Sequence, residues 1–267
     1  MRDVVVAGHY CHDVLVRDSG ERRELGGSAA YASAVLRAAR VDFAVVAHVG
    51  DDFLYGERVP APRIVAGART TSFVDYYRGA ERVQTLHAAA PPLCAEDLLE
   101  PCTIGLAVPV AGEIPPATLL RMRELSRLLL ADAQGFVRSI DAARRVVHTA
   151  PAAELIDALK GVDFLKIGRA EADVVDIERL RRHCTVLLTD GARGCQILSR
   201  TEEHSVPAFA ARQVDPTGAG DCFLAGFAVG LLRGYSTPGA ARLGNWCGAR
   251  AVETAGIPTF EQLPTIK

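Results

Sequence analysis

Short apolar runs alternate along this chain with longer stretches in which apolar residues recur every three or four positions. The runs Val4–Gly8, Phe43–Val49, Ile104–Val110, Leu128–Asp132, Phe164–Ile167 and Thr185–Thr189 have the length and hydrophobicity of strands covered on both faces. Between them, Ala29–Ala39, Ala117–Ser126 and Ala152–Leu159 have helical spacing, and Ala219–Leu232 and Pro238–Val252 predict two consecutive helices near the C-terminus. Strands alternating with helices in this way predict an α/β fold, a doubly wound and mainly parallel sheet flanked by helices.

Two segments, 14–25 and 70–87, break the rhythm. They are polar, charged and β-prone; Thr71–Tyr77 alternates, and Arg78-Gly79-Ala80-Glu81 has the composition of a hairpin turn. Together they predict a small second sheet that forms a lid over the strand ends, although a pair of surface hairpins satisfies the same residues equally well. Residues 91–101 and 112–116 are Pro-rich connectors, and the chain reads as a single domain over residues 1–267 without internal repeats.

Composition narrows the classes. With 267 residues and 49% hydrophobic content the chain can bury a sizeable core. A formal net charge of −2 implies no basic face, so nucleic acid is not an expected partner. No run reaches the apolar length of a bilayer span, and Met1-Arg2-Asp3 leads directly into a short strand rather than a secretory leader. Seven cysteines, an odd number with no CxxC pair, suit a reducing compartment, and the expected location is the cytoplasm.

Candidate chemistry concentrates in Val214-Asp215-Pro216-Thr217-Gly218-Ala219-Gly220-Asp221, which opens directly into the apolar run Cys222–Leu232. Small residues at Gly218, Ala219 and Gly220 leave backbone N–H groups bare at a helix N-terminus, where the dipole favours anions. Asp221 sets a carboxylate at the same corner. An acid opposes simple phosphate binding, but it suits a reaction in which a hydroxyl loses its proton while the bare turn holds a transferring phosphoryl group. An ordinary capped helix start, with Asp215 or Thr217 as the cap, is the structural alternative.

Asp215–Asp221, followed by Ala225-Gly226, resembles the C-terminal signature of the ribokinase-like (PfkB) carbohydrate kinase family. The resemblance implies a ribokinase-like fold, Asp221 as catalytic base, and Gly218, Ala219 and Gly220 as the anion hole. Other positions follow the family in order. Gly8–Asp13 resembles its first strand and turn, which makes Asp13 a ligand of substrate hydroxyls. Leu25–Ala30 resembles its Gly-Gly signature, which puts Gly26 and Gly27 against the acceptor, with Tyr31 near the place of a missing Asn. Val49-Gly50-Asp51-Asp52 matches the next landmark. Lys166–Ala172 resembles the Asn-x-x-Glu region, so that Glu171 holds magnesium through water while Gly168 replaces the Asn and offers only backbone to the nucleotide. Thr189, Gly191 and Gly194 fall on the nucleotide-side turn, and Asn245 falls near adenine.

The resemblance runs from Gly8 to about Gly256 and is strongest to the plant-type myo-inositol kinase branch, on the turn Gly8–Leu15, on Val214–Gly226 and on Gly244-Asn245-Trp246. It implies ATP and Mg²⁺ as cofactors and a small polyol as acceptor. A monovalent cation near Asp215, as in some members, is left open, as is the oligomeric state. Other sugars or nucleosides remain alternative acceptors, and a catalytically silent binding module is the alternative of a different class. Competing motifs fail: no P-loop, HExxH, zinc pair or EF-hand occurs, and Gly26-Gly27-Ser28-Ala29-Ala30 lacks the closing Gly of a nucleophile elbow.

Overall fold

The computed structural model describes residues 1–17, 20–78 and 81–266. Strand β1 (Arg2–Ala7) leads into β2 (Cys11–Arg17), β3 (Gly20–Gly26), helix α1 (Ser28–Ala39), β4 (Phe43–Val46), β5 (His48–Val49) and β6 (Arg63–Ile64). Then come β7 (Ser72–Arg78), β8 (Glu81–Ala88), β9 (Cys102–Ala107), α2 (Pro116–Leu125), β10 (Ser126–Asp132), the one-turn helix α3 (Gln134–Val137), β11 (Arg138–Ile140) and β12 (Val146–His148). The remaining elements are α4 (Ala153–Leu159), β13 (Phe164–Gly168), α5 (Ile177–Leu180), β14 (Thr185–Thr189), β15 (Cys195–Leu198), β16 (Glu203–Val206), α6 (Ala219–Leu232) and α7 (Thr237–Ala251).

Eight strands form the main sheet in the order β16-β15-β14-β13-β10-β9-β1-β4. Pairing is parallel from β4 through β14. All six expected core runs contribute to it. The run Phe43–Val49 divides, however: the Val46 carbonyl accepts from Gly8 of the main sheet, while the Ala47 carbonyl accepts from Arg63, so β5 leaves to pair with β6. Two antiparallel strands, β15 and β16, extend the edge beyond β14 and were not among the expected strands. Their alternation is short, and the turn between β14 and β15 dominates that stretch of sequence.

Helices cover both faces. On one side α1, α6 and α7 bury Val35, Leu36, Phe227 and Leu243 against Val4, Val6 and Leu106. On the other, α2, α4 and α5 bury Leu119, Met122, Leu159 and Leu180 against Leu129, Leu165 and Val186. The alternating strand residues therefore all find apolar cover, which explains their unbroken hydrophobicity. Helix α6 packs between α1 and α7, and every residue from Asp221 to Gly230 is buried. Burial on all sides replaces the amphipathic stripe of a surface helix.

The expected lid is present as a four-stranded sheet, β3-β2-β7-β8. The predicted hairpin turn at Arg78–Glu81 falls partly outside the described residues. Strand β2 leaves the C-terminal end of β1 and pairs Asp13 with Phe73 of β7. Cys11, Phe73 and Val110 form a small cluster that fastens the lid to the main body. The hairpin β11–β12 braces it further, because the Arg144 guanidinium donates to the Leu86 and His87 carbonyls at 2.9 Å each. Among the described residues, no helix is long and apolar enough to cross a membrane.

Strand order reverses at β1, since β4 lies on one side and β9, β10, β13 and β14 on the other. Open α/β sheets bind ligands in the crevice beyond the carboxyl ends of the strands at such a point. The lid strands stand over that crevice here.

Candidate active site

Gly218 starts α6 with φ of 76°, a left-handed conformation that favours glycine. The turn before it is fixed by Asp215, whose Oδ1 accepts from the Thr217 N–H at 2.9 Å. The Ala219 N–H donates to the Pro216 carbonyl at 3.3 Å. Among the described residues, the N–H groups of Gly218, Gly220 and Asp221 meet no acceptor. These three donors, with the helix dipole behind them, make the anion cradle. Ala219 lies instead on the side of a neighbouring cavity.

A cavity of about 320 Å³ opens in front of this turn. Its walls bring together segments far apart in the chain: Cys11, Asp13 and Gln84 from the lid, Ser28 and Tyr31 from α1, Arg138 after α3, Lys166 and Gly168 from β13, and Gly218, Gly220 and Asp221 from α6. Asp221 is buried, and among the described residues its Oδ1 has no hydrogen-bond partner. Burying a carboxylate oxygen without a partner costs free energy. Burial accordingly raises the Asp221 carboxyl above its ordinary range, with Lys166 and the Ser28 hydroxyl pulling it partly back.

Three further ionisable groups surround it. The Lys166 ammonium donates to both carboxylate oxygens of Asp132, at 3.1 and 3.0 Å, and both residues are buried. Burial alone would push the lysine down, but Asp132, Glu171 and Asp221 outweigh it and hold its proton more firmly. Asp132 is itself raised, by burial first and then by Glu171 and Asp221, against the pull of Lys166. One ammonium among three carboxylates thus leaves a surplus of negative charge, and both shifts express the same tendency of the cluster to retain protons. Glu171 folds back so that Oε2 accepts from the Gly168 N–H at 2.7 Å. This bond explains how Glu171 is held although Gly168 has no side chain to contribute.

At the lid side, Gly26 and Gly27 are glycines for packing. A Cβ on Gly26 would stand 1.8 Å from Asp13 Oδ2, and one on Gly27 would stand 2.4 Å from the His9 carbonyl. Gly26 therefore clears the space in which the Asp13 carboxylate sits, and Gly27 lines the cavity at the start of α1. Tyr31 is buried with its ring against Gly218. Burial, then Asp13 and Asp221, raise its phenol well above the ordinary value, so it stays a neutral O–H donor. The Arg138 guanidinium lies over the Phe73 ring at 5.5 Å and donates to the Val110 carbonyl at 3.0 Å.

A second cavity of about 260 Å³ shares Thr189, Gly191, Pro216 and Gly220 with the first. It continues over an apolar wall that includes Phe209, Phe223 and Val252. Gly194 and Asn245 also line it. Asn245 is buried, and its amide donates to the Val206 and Pro207 carbonyls at 2.9 and 3.1 Å, which fastens α7 to the end of β16. Asn245 shapes this slot through backbone rather than facing solvent.

The predicted residues thus fall around two adjoining cavities, with Gly26 and Glu171 just behind the first. Sequence reasoning singled out neither Lys166, Asp132 and Arg138 nor Ser28, Gln84 and Gln134. One signal was present: Lys166 is a lone lysine inside an apolar strand, and Asp132 is an acid that ends one. Each such residue is costly unless paired, so together they suggest a partner pair.

A crevice at strand ends, a bare helix N-terminus and a buried acid at its lip define a small-molecule phosphotransferase of the kinase type. The comparisons agree. Residues 110–262 match the model of the pfkB family of carbohydrate kinases. Over 96% of this chain and 73% of the relative, the sequence is 43% identical to an inositol 3-kinase of Zea mays. It is 38% identical to an inositol 3-kinase of Arabidopsis thaliana over 97% of this chain and 76% of the relative. The chain therefore belongs to the pfkB family. Its fold is that of a ribokinase-family, pyrophosphate-dependent kinase solved as a sulfate complex, with a TM-score of 0.79, 23% identity and 98% of both chains covered.

Proposed function

We propose that the protein transfers the γ-phosphoryl group of ATP to a hydroxyl of myo-inositol. The observation that carries the reading is the buried Oδ1 of Asp221 beside three bare N–H groups, all without a partner among the described residues. Two plant inositol 3-kinases at 43% and 38% identity support the choice of acceptor. The apolar slot beyond Gly220 supports a nucleotide over a bare pyrophosphate donor, since a flat base needs apolar walls and pyrophosphate does not.

Asp13 accepts hydroxyl hydrogen bonds of the acceptor, because a carboxylate can hold two neighbouring hydroxyls at once. Asp221 takes the proton of the attacking hydroxyl. The N–H groups of Gly218, Gly220 and Asp221 hold the transferring phosphoryl group, and the lid excludes water that would compete as acceptor. Thr189, Gly191, Gly194 and Asn245 border the nucleotide, and Gly168, whose N–H and carbonyl are both held by Glu171, leaves room for its phosphates by lacking a side chain. The surplus negative charge of Asp132, Glu171 and Asp221 over Lys166 fits a cation. Among the described residues no three ligating side chains converge to hold a metal by themselves, so magnesium would come with the nucleotide phosphates and meet Glu171 through water. Bound there, it would neutralise phosphate charge.

Purified protein with ATP should phosphorylate myo-inositol in preference to ribose, fructose and adenosine, and pyrophosphate should replace ATP poorly. Preference for another acceptor would overturn the assignment, and nucleotide binding without turnover on any polyol would favour a silent binding module.

The raised carboxyl of Asp221 also sets the pH dependence. Its ionised form is the base, so activity falls as pH drops through its folded-state pKa. Burial places that point above the ordinary carboxylate value of about 4. The acid limb of kcat/KM is therefore expected above the usual carboxylate range, and a limb at or below about pH 4 would contradict the reading.

A further inference from the structure

Lys166 stands on β13 between Leu165 and Ile167, which are both fully buried. An ammonium there must be paired, and Asp132 pairs it. Pairing accounts for its tolerance but not for its direction. The Lys166 Nζ reaches the floor of the cavity, where a Cβ on Gly220 would stand only 2.8 Å from it. The missing side chain of Gly220 therefore leaves the place that the ammonium occupies. Gly220 also supplies one of the three N–H groups of this turn that meet no acceptor among the described residues. A fixed cation, bare helix donors and the ionisable Asp221 meet at one point. An ammonium carries three donors, and the two oxygens of Asp132 engage it from one side only.

We propose that Lys166 is a catalytic cation of this kinase: its ammonium donates to a non-bridging oxygen of the phosphoryl group in transfer, and Asp132 is the residue that positions it. The inference rests on the kinase reading above. The bond that forms joins the acceptor oxygen to phosphorus, and the bond that breaks joins phosphorus to the donor's bridging oxygen, which leaves with the electron pair. The acceptor proton passes to Asp221, and Lys166 keeps its own proton throughout. A loose transition state spreads charge over the equatorial and leaving oxygens. A cation already fixed there acts without reorganisation. In this chain it stands two residues before Gly168 on the same strand, and therefore on the same face of the sheet.

The test removes both charges of the pair together, as Lys166→Met with Asp132→Asn, so that Asp132 is not left as a buried carboxylate without its ammonium. Turnover is measured with whichever acceptor the native protein uses, and calorimetry compares ADP with adenylyl imidodiphosphate. Expected are a fall in kcat of at least about 10²-fold, an acceptor KM within about threefold, unchanged ADP affinity and about tenfold weaker binding of the imido analogue. A folded double variant with native-like kcat and native-like affinity for the analogue would overturn the proposal. If the double variant fails to fold, Asp132→Asn alone decides: kcat and analogue affinity should fall while ADP affinity holds, and native values for both sink the idea. The binding comparison needs no acceptor, so loss of the myo-inositol assignment would leave this proposal separately decided.

Discussion

Replacing Asp221 by asparagine is expected to lower kcat by roughly 10²–10⁴-fold while the fold and nucleotide binding persist, as loss of a general base does. Asparagine keeps the size and one acceptor oxygen but takes no proton. The aspartate is a modest base for an alcohol, so its proton moves late, and placement with charge neutralisation carries most of the barrier. The same substitution has a stability sign. Burial raises the Asp221 pKa in the folded state, so folding favours the protonated form. Its contribution is fully present below the unfolded-state pKa and is lost as pH rises through the folded-state pKa. At neutral pH the native carboxylate is thus a liability, and Asp221→Asn should melt at the native temperature or above it. Native-like turnover would remove Asp221 from the reaction; retained ATP binding with a marked drop in melting temperature would assign it a structural role.

Gly218→Ala is expected to damage both stability and activity. An L-residue at φ of 76° costs roughly 1–2 kcal/mol. Its Cβ would also stand 2.1 Å from two ring carbons of Tyr31, an overlap of the kind that costs about 1–3 kcal/mol when a packed site is overfilled. The sum, about 2–5 kcal/mol, corresponds to a fall of roughly 5–15 °C in melting temperature for a chain of this size. Because Tyr31 must move, the first turn of α6 shifts, and a displacement near 1 Å is worth about 10²-fold in turnover. Combining it with Tyr31→Ala should cost less than the sum of the two single changes, since the ring overlap is then gone. Additive effects, or a native melting curve for Gly218→Ala, would disprove the contact.

Much of this architecture is legible in the amino-acid sequence. Each of the six apolar runs contributes a strand to the main sheet, because a strand covered on both faces must be hydrophobic throughout, although the end of Phe43–Val49 leaves it, and the five expected helices form over nearly the same bounds. Strands in this region are legible in the alternation of Thr71–Tyr77, but that they form a sheet over the crevice rather than surface hairpins is not. The edge strands β15 and β16 were missed because four residues of alternation carry little signal beside a strong turn. Near the site, the resemblance puts Gly26 against the acceptor, and the structure adds that its lack of a side chain clears the Asp13 carboxylate. The resemblance puts Asn245 near adenine, and the structure adds that its amide holds the backbone of residues 206–207 beside the second cavity.

Periodicity, turn chemistry and capping are local, and each is written within about ten consecutive residues. The alternating strands and helices, the bare turn at Gly218–Gly220 and the acid beside it are therefore properties of the chain as a string. The pairing of Lys166 with Asp132, 34 residues away, is of another kind. So are the Tyr31 ring against Gly218 and the junction of two cavities at Gly220. These depend on which strand lies beside which and on how closely α1 and α6 pack, and strand order and helix contact are settled only when the whole core is buried.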